Sequence, residues 1–253
     1  NAVRVSSWNV RNTTHIDDVL HALAKNPGLA DSDIVALQEV AVADATTRTG
    51  LQERIARSMG FSSVYGTEFL KLDGREIVGE MGNMILSRHK MEYPSIVRVA
   101  PGAYSYSSRG NKMFGSNMAV KAKITKGGKQ ITAYSARLEL ITPRRYRRLQ
   151  MQRLLQDAAG HNNVLIAADF NLLTESQKSK TVKDVKEQGF ADYFGDKGQR
   201  TVNGNLAKFF AHVLGGKAVL DRILSRGFVL SDLEIHYGVK VSDHYPITGI
   251  YKI

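Results

Sequence analysis

Five well-separated segments of this chain each carry a strand-like stretch to a carboxylate or an amide. They are Val5-Ser6-Ser7-Trp8-Asn9, Ile34-Val35-Ala36-Leu37-Gln38-Glu39, Val164-Leu165-Ile166-Ala167-Ala168-Asp169-Phe170-Asn171, Val219-Leu220-Asp221 and Ser242-Asp243-His244. A buried strand that stops on such a group delivers it to the rim of a sheet, because the interior cannot solvate it. Five deliveries of this kind read as the construction of one site. Hard oxygen donors beside a histidine suit a divalent cation such as Mg²⁺ and chemistry on a phosphate.

With 253 residues and 43% hydrophobic content, the chain can build one large core, and a single domain over residues 1–253 is expected. No apolar run reaches the ~18 residues that span a bilayer, so no membrane span is expected. Cysteine is absent, which excludes disulfides, thiolate metal sites and cysteine nucleophiles. The sequence opens on Asn1 rather than methionine. Removal of a leader would account for that and place the protein in a secreted or periplasmic setting, with the cytoplasm as the alternative.

Charge is unevenly distributed. The net charge is +11, yet residues 1–100 carry 11 Lys+Arg against 12 Asp+Glu, whereas residues 101–160 carry 12 against 2. A localised positive field draws in polyanions and releases their counterions, so nucleic acid is the expected partner. A solvated basic face is the alternative.

Strands are expected at Val3–Asn9, Asp33–Glu39, Asn83–Ser87, Asn117–Thr125, Gln130–Ala136, Val164–Ala168, Val219–Ser225, Leu233–Val239 and Pro246–Tyr251. Ile16, Val19, Leu20 and Leu23 give Thr14–Lys25 a helical period, and Leu51, Ile55 and Met59 mark a second helix closed by Gly60. Lys126-Gly127-Gly128-Lys129 reads as a hairpin turn, since paired glycines supply the positive φ angles that it needs. Thr142-Pro143 begins a third helix with a hydroxyl cap and a proline in the first turn, and Met151, Leu154, Leu155 and Ala158 form its inner stripe. Tyr104–Lys112 reads as a loop mixing aromatic and basic residues. Strands at both ends with helices between them fit an α+β arrangement of two packed sheets flanked by helices better than a strictly alternating parallel sheet.

Taken in order, Trp8-Asn9, Gln38-Glu39, Gly82-Asn83-Met84-Ile85-Leu86-Ser87-Arg88, Asp169-Phe170-Asn171, Leu220-Asp221 and Ser242-Asp243-His244-Tyr245-Pro246 resemble the endonuclease/exonuclease/phosphatase superfamily. The resemblance spans nearly the whole chain. It implies a four-layered α/β/β/α sandwich of two mixed sheets, as in pancreatic deoxyribonuclease. It further implies cleavage of phosphoester bonds with Mg²⁺ or Mn²⁺, Ca²⁺ being a further candidate. Substrates across the superfamily range from DNA, RNA and abasic sites to inositol phosphates and sphingomyelin, so the fold gives the reaction class and not the substrate.

On that basis Glu39 is the expected metal ligand, with Asn9 adding an amide oxygen or holding the metal's water. Asp169 is expected to orient and deprotonate the attacking water, with Asn171 holding Asp169 or a phosphate oxygen. Asp243 and His244 are read as a carboxylate–imidazole pair that lets His244 contact phosphate as a cation. Whether Asp169 or His244 takes the proton stays open at this level. Asp221 is expected to orient a second catalytic group or a second metal. The other six histidines have no such context.

One position departs from the pattern. Hydrolases of the superfamily commonly carry histidine in a His-Leu-Glu segment, where this chain has Arg137-Leu138-Glu139. A guanidinium cannot give up a proton at neutral pH, though it can clamp phosphate and offset developing charge. Arg137 is therefore an electrostatic clamp in an active enzyme, an inactivating change, or a residue whose true counterpart lies nearby.

Arg144, Arg145 and Arg148 share one face at the start of the third expected helix and suit phosphate, and Tyr104 and Arg109 suit base stacking beside phosphate contacts. The expected function is a monomeric nuclease that cleaves DNA, and RNA as a second substrate, with little sequence preference. The alternatives are a phospholipid, inositol-phosphate or sphingomyelin hydrolase of the same fold, and a binding protein of low activity because of Arg137.

Overall fold

The computed structural model describes residues 2–11, 16–42, 50–108, 110–139, 144–172, 180, 183–194, 199–208 and 218–253, with side chains left aside at 16, 42, 50–53, 144 and 145. In chain order the elements are β1 (Ala2–Asn9), α1 (Ile16–Lys25), α2 (Pro27–Ala30), β2 (Ile34–Val42), α3 (Gly50–Met59), β3 (Ser62–Asp73), β4 (Glu76–Ser87), β5 (Met91–Arg98), β6 (Tyr104–Ser108), β7 (Asn111–Gly115), β8 (Met118–Lys126), β9 (Lys129–Arg137), α4 (Arg144–Ala158), β10 (Val164–Asp169), β11 (Asp221–Arg226), β12 (Val229–Ile235) and β13 (Ile247–Lys252). They form an eight-stranded sheet, β12-β13-β1-β2-β4-β3-β7-β6, and a five-stranded sheet, β11-β10-β9-β8-β5. Both are mixed: β1 runs parallel to β2, and β9 to β10, while the other pairings are antiparallel.

Alternation along the strands builds the layers, since successive side chains point to opposite faces. Val3, Val5, Ile34, Ala36 and Ile85 of the larger sheet meet Val120, Ala122, Ile131, Ala133, Leu165, Ala167 and Ile223 of the smaller one in a central core. The opposite parity of the larger sheet (Trp8, Val35, Leu37, Met84 and Leu86) packs under Val19, Leu23, Leu29 and Ile55 of the first three helices. On the far side, Met151, Leu154, Leu155 and Ala158 of α4 cover Tyr134, Ala136, Val164, Ile166 and Ala168. The order is helix, sheet, sheet, helix.

Several expectations hold in detail. Gly127 and Gly128 take φ of 59° and 76° between Lys126 and Lys129, the two consecutive positive angles of a tight hairpin. α3 stops before Gly60, whose φ is 65°. The caps proposed at Thr14 and Thr142 lie outside the described residues.

Others need correction. Tyr104–Lys112 is not a loop: β6 and β7 pair as a hairpin, and Tyr104 and Tyr106 set their rings edge-on to Phe69 at 5.3 and 5.1 Å. Alternating Tyr and Ser is a period-two signal that the interspersed polar residues concealed. The strand expected at Leu233–Val239 is β12, Val229–Ile235, displaced because a register shift between Leu230 and Asp232 interrupts its alternation. β3 and β5 were not anticipated. β5 is a largely exposed edge strand with Pro94 at a register shift between Glu92 and Ser95, so it lacks an apolar run.

Candidate active site

Strand direction brings the dispersed residues together. Asn9, Arg137 and Asp169 terminate β1, β9 and β10, and Glu39 lies late in β2. Asp221 opens β11, antiparallel to β10, and His244 lies just before β13, antiparallel to β1. Ends of one set and beginnings of the other fall on the same edge. Within the smaller sheet, Asp169 is in register with Arg137 on one side and Asp221 on the other. By strand parity these three point inward with Leu165, Ala167 and Ile223.

Glu39 is aimed by a bulge. Leu37 opposes Met84 but Val40 opposes Gly82, so an extra residue is accommodated in β2. Glu39 itself has φ of 53°, and Asn171, just beyond β10, has φ of 49°. Positive φ in two non-glycine residues of one cluster is local backbone strain held by the surrounding fold. Beneath them Gln38 ties the sheets, its amide donating toward Ser7 Oγ on one and Ser135 Oγ on the other.

Asn9 links the two carboxylates. Its Nδ2 donates to Glu39 Oε1 at 3.2 Å and to Asp169 Oδ2 at 2.9 Å, and its Oδ1 accepts from the Arg11 amide at 2.8 Å. Asn171 donates to Asp169 twice, from its backbone N to Oδ1 and from Nδ2 to Oδ2, and gives a further bond to the Leu138 carbonyl. Asp169 is 1% exposed. Burial pushes its carboxyl up to about 6 against the pull of the His244 cation.

His244 pairs with Asp221 and not with Asp243, which corrects the reading from adjacency in sequence. Nδ1 lies 2.8 Å from Asp221 Oδ2, while Asp243 Oδ2 sits 2.9 Å from Arg11 Nε. Consecutive residues leave the chain in different directions, so a strand start across the sheet reaches the imidazole where the neighbour cannot. Burial would lower the His244 pKa, but the charge and hydrogen bond of Asp221, together with the charges of Asp169 and Asp243, outweigh it and raise it to about 10. Thr201 Oγ1 accepts from the amides of Leu220 and Asp221, and Trp8 Nε1 donates to the His244 carbonyl, which fixes both partners.

Arg137 lies within the cluster, 8% exposed, with Nε 2.7 Å from Glu39 Oε1. The contact is an ion pair and not an aligned hydrogen bond. Burial disfavours the guanidinium, but Glu39, Glu68, Tyr106 and Asp169 together raise its pKa further. Glu68, fully buried on β3, has its own carboxyl pushed up to about 8 by burial, against the pull of Arg137. Neither Glu68 nor Tyr106 was singled out in the sequence. A lone acid inside the run Phe61–Leu72 was the available signal.

The donors fit a hard divalent cation. Glu39 and Asp169 are carboxylates held near each other by the Asn9 Nδ2 group, and carboxylate oxygens are donors of the type that Mg²⁺ and Mn²⁺ prefer. Asp169, Asp221 and His244 also bring ligand atoms within 4.8 Å of one another. Within that trio the His244 Nδ1 contact to Asp221 Oδ2 fixes the imidazole beside the two carboxylates.

The residues assigned to substrate contact fare differently. Tyr104 donates its hydroxyl to Asn117 Oδ1 at 2.7 Å and packs on Phe69, so both of its binding features serve the fold. Arg148 Nε lies 3.4 Å from Asp184 Oδ2 with half of its side chain exposed. Arg109 and the side chains of Arg144 and Arg145 lie outside the described residues. Much of the basic stretch is structural. Arg147 is buried and donates to the Glu139 and Asn171 carbonyls, Arg153 donates to Ala100, and Lys121 and Lys126 pair with Asp157 and Asp33.

The sequence matches the Endonuclease/Exonuclease/phosphatase family over residues 6–244. No curated protein matches it significantly. Among solved structures, an endonuclease/exonuclease/phosphatase from Beutenbergia cavernae DSM 12333 superposes with a TM-score of 0.73 at 14% identity, covering 100% of this chain and 72% of that one. D. rerio TDP2, complexed with single strand DNA product, gives 0.69 at 17% identity with 100% of both chains covered. The human Nocturnin catalytic domain gives 0.68 at 15% identity, covering 99% of this chain and 93% of that one. Members of this family are hydrolases of phosphodiester or phosphate esters and generally use divalent metal ions. With its layers, its strand-end residues and a match over almost all of its length, this chain belongs to the Endonuclease/Exonuclease/phosphatase family.

Proposed function

We propose that the chain is a divalent-metal-dependent phosphodiesterase that cleaves DNA, and RNA as a second substrate, with little sequence preference. The observation that carries this reading is the hydrogen-bonded line from Glu39 through Asn9 to Asp169, with the Asp221–His244 pair beside it. Glu39, assisted by Asn9, would hold the cation. When bound there, it supplies positive charge that polarises the phosphoryl group and stabilises the departing oxygen.

The protein's own groups divide the remaining work. Asp169, ionised above its raised pKa of about 6 and fixed by Asn171, orients the attacking water and takes its proton. With Asp169 assigned the role of base, His244, whose pKa its Asp221 partner raises, takes that of the cation. It donates a hydrogen bond and positive charge to a phosphate oxygen. Arg137 adds charge but no transferable proton.

The nucleic-acid part of the proposal draws on the net charge of +11 and on the D. rerio TDP2 neighbour with its single strand DNA product. Incubation of plasmid, linear DNA and RNA with the protein and Mg²⁺ tests it, with EDTA and Asp169→Ala as controls. The expected result is nicked plasmid appearing before linear product, with activity lost in both controls. Hydrolysis of sphingomyelin or a phosphoinositide with DNA untouched would reassign the substrate. DNA binding without cleavage would favour the binding-protein reading.

A further inference from the structure

Arg137 stands where two cations would compete. Its Nε is 2.7 Å from Glu39 Oε1, the same oxygen that accepts from Asn9, on the carboxylate that would be the first donor for a divalent ion. Mg²⁺ binds such an oxygen at about 2.0–2.1 Å and tolerates little distortion. A metal on Oε1 would therefore sit only a few ångströms from a guanidinium that is itself buried. Like charges that close in a partly dry site repel, and burial weakens the screening that water would give.

Local charge points the same way. Three carboxylates at the strand edge, Glu39, Asp169 and Asp221, face two cationic side chains, Arg137 and His244. The neighbouring Asp243 is already matched by Arg11 at 2.9 Å. Arg137 thus neutralises part of the negative charge that would otherwise recruit a dication. Its position is secured from several sides: it is in register with Asp169 on β9, the Asn117 amide donates to its carbonyl, and Glu68 and Tyr106 bear on its guanidinium. It is built in.

We propose that Arg137 is the resident cation of this site, competing with the divalent ion for Glu39 and setting a weak affinity for it. The inference rests on the metal-dependent reading above. It says what that reading does not: the metal-free site is already partly charge-compensated, and the ion must compete with the guanidinium for the Glu39 carboxylate in order to bind. A chain with an uncharged residue here would bind the ion more tightly and depend on it more for stability.

The test is isothermal titration of metal-stripped protein with MgCl₂ and MnCl₂, for the parent, Arg137→Gln, Arg137→His and Glu39→Gln. Both Arg137 variants should bind about tenfold or more tighter than the parent, the direction that removal of a nearby like charge dictates. Glu39→Gln should lose binding. Melting temperature should rise with Mg²⁺ more in Arg137→Gln than in the parent. A second readout uses the parent alone, the ¹⁵N signal of the Arg137 Nε–H during a Mg²⁺ titration, which should shift as the ion takes Oε1. Equal affinities in parent and Arg137 variants with binding still lost in Glu39→Gln would overturn the competition and leave the metal site standing. An Nε signal unmoved while Mg²⁺ binds would do the same, even if the variants fail to fold. No binding to any of the four proteins would remove the metal-dependent function itself.

Discussion

His244 Nδ1, 2.8 Å from Asp221 Oδ2, holds a proton that its surroundings retain. Burial alone would release it, but the Asp221 charge and hydrogen bond raise the pKa to about 10, above the unfolded value of about 6.5. The stability contributed by the pair is therefore fully present below about pH 6.5 and is lost as pH rises through about 10. If the imidazolium is the active form, cleavage should persist through mildly alkaline pH and decline toward 10. Asp221→Asn should bring that alkaline limb down by about a unit or more, measured as the pH–rate profile of plasmid nicking. A limb that stays in place would mean that Asp221 does not govern this proton. Arg137→His restores a group able to protonate the leaving oxygen, a step commonly worth ~10²–10⁴ in rate, so turnover at saturating Mg²⁺ should rise. Turnover no faster than the parent would dispose of the missing-acid explanation.

Elements, rather than single residues, determine whether these groups meet. Glu39 faces the site because β2 is bulged opposite β4, and β4 is paired on its other side with β3. At Gly82 a Cβ would lie 2.0 Å from the Gly66 carbonyl oxygen, so Gly82→Ala must push the strands apart. The expected cost is about 1–3 kcal/mol, with a fall of several degrees in melting temperature by calorimetry. An unchanged melting temperature would show that β4 absorbs the methyl group without strain. The ends of this architecture were legible in the chain. Val164–Asp169 and Ile34–Glu39 announce themselves as apolar runs closed by an acid, and Gly127-Gly128 announces its turn. β5 and the Tyr104–Gly115 hairpin were not, because edge strands carry few apolar residues and owe their pairing to neighbours remote in sequence. The same limit explains the site. Asn9, Glu39, Asp169, Asn171 and His244 end recognisable segments, whereas Glu68 and the choice of Asp221 over Asp243 depend on cross-sheet geometry that no local pattern encodes.

At the scale of the whole molecule the question is where the positive charge acts. The excess of residues 101–160 is partly internal: Arg137 and Arg147 are buried and Lys121, Lys126 and Arg153 are engaged by the fold. The chain as a whole carries a net charge of +11, so binding to DNA should release counterions and weaken steeply with salt. Cleavage of duplex DNA at sub-saturating substrate is expected to fall at least about tenfold between ~50 and ~200 mM NaCl. A rate indifferent to salt would argue against a polyanionic substrate. Both sheets contribute to one edge, Asn9 and Glu39 from the larger, Asp169 and Asp221 from the smaller. Locating a divalent ion there tests this most directly. Crystals of the protein soaked in MnCl₂ should show an anomalous scattering peak at the Glu39 carboxylate, on the side facing Asp169. A peak elsewhere, with none at Glu39 under saturating Mn²⁺, would contradict the account.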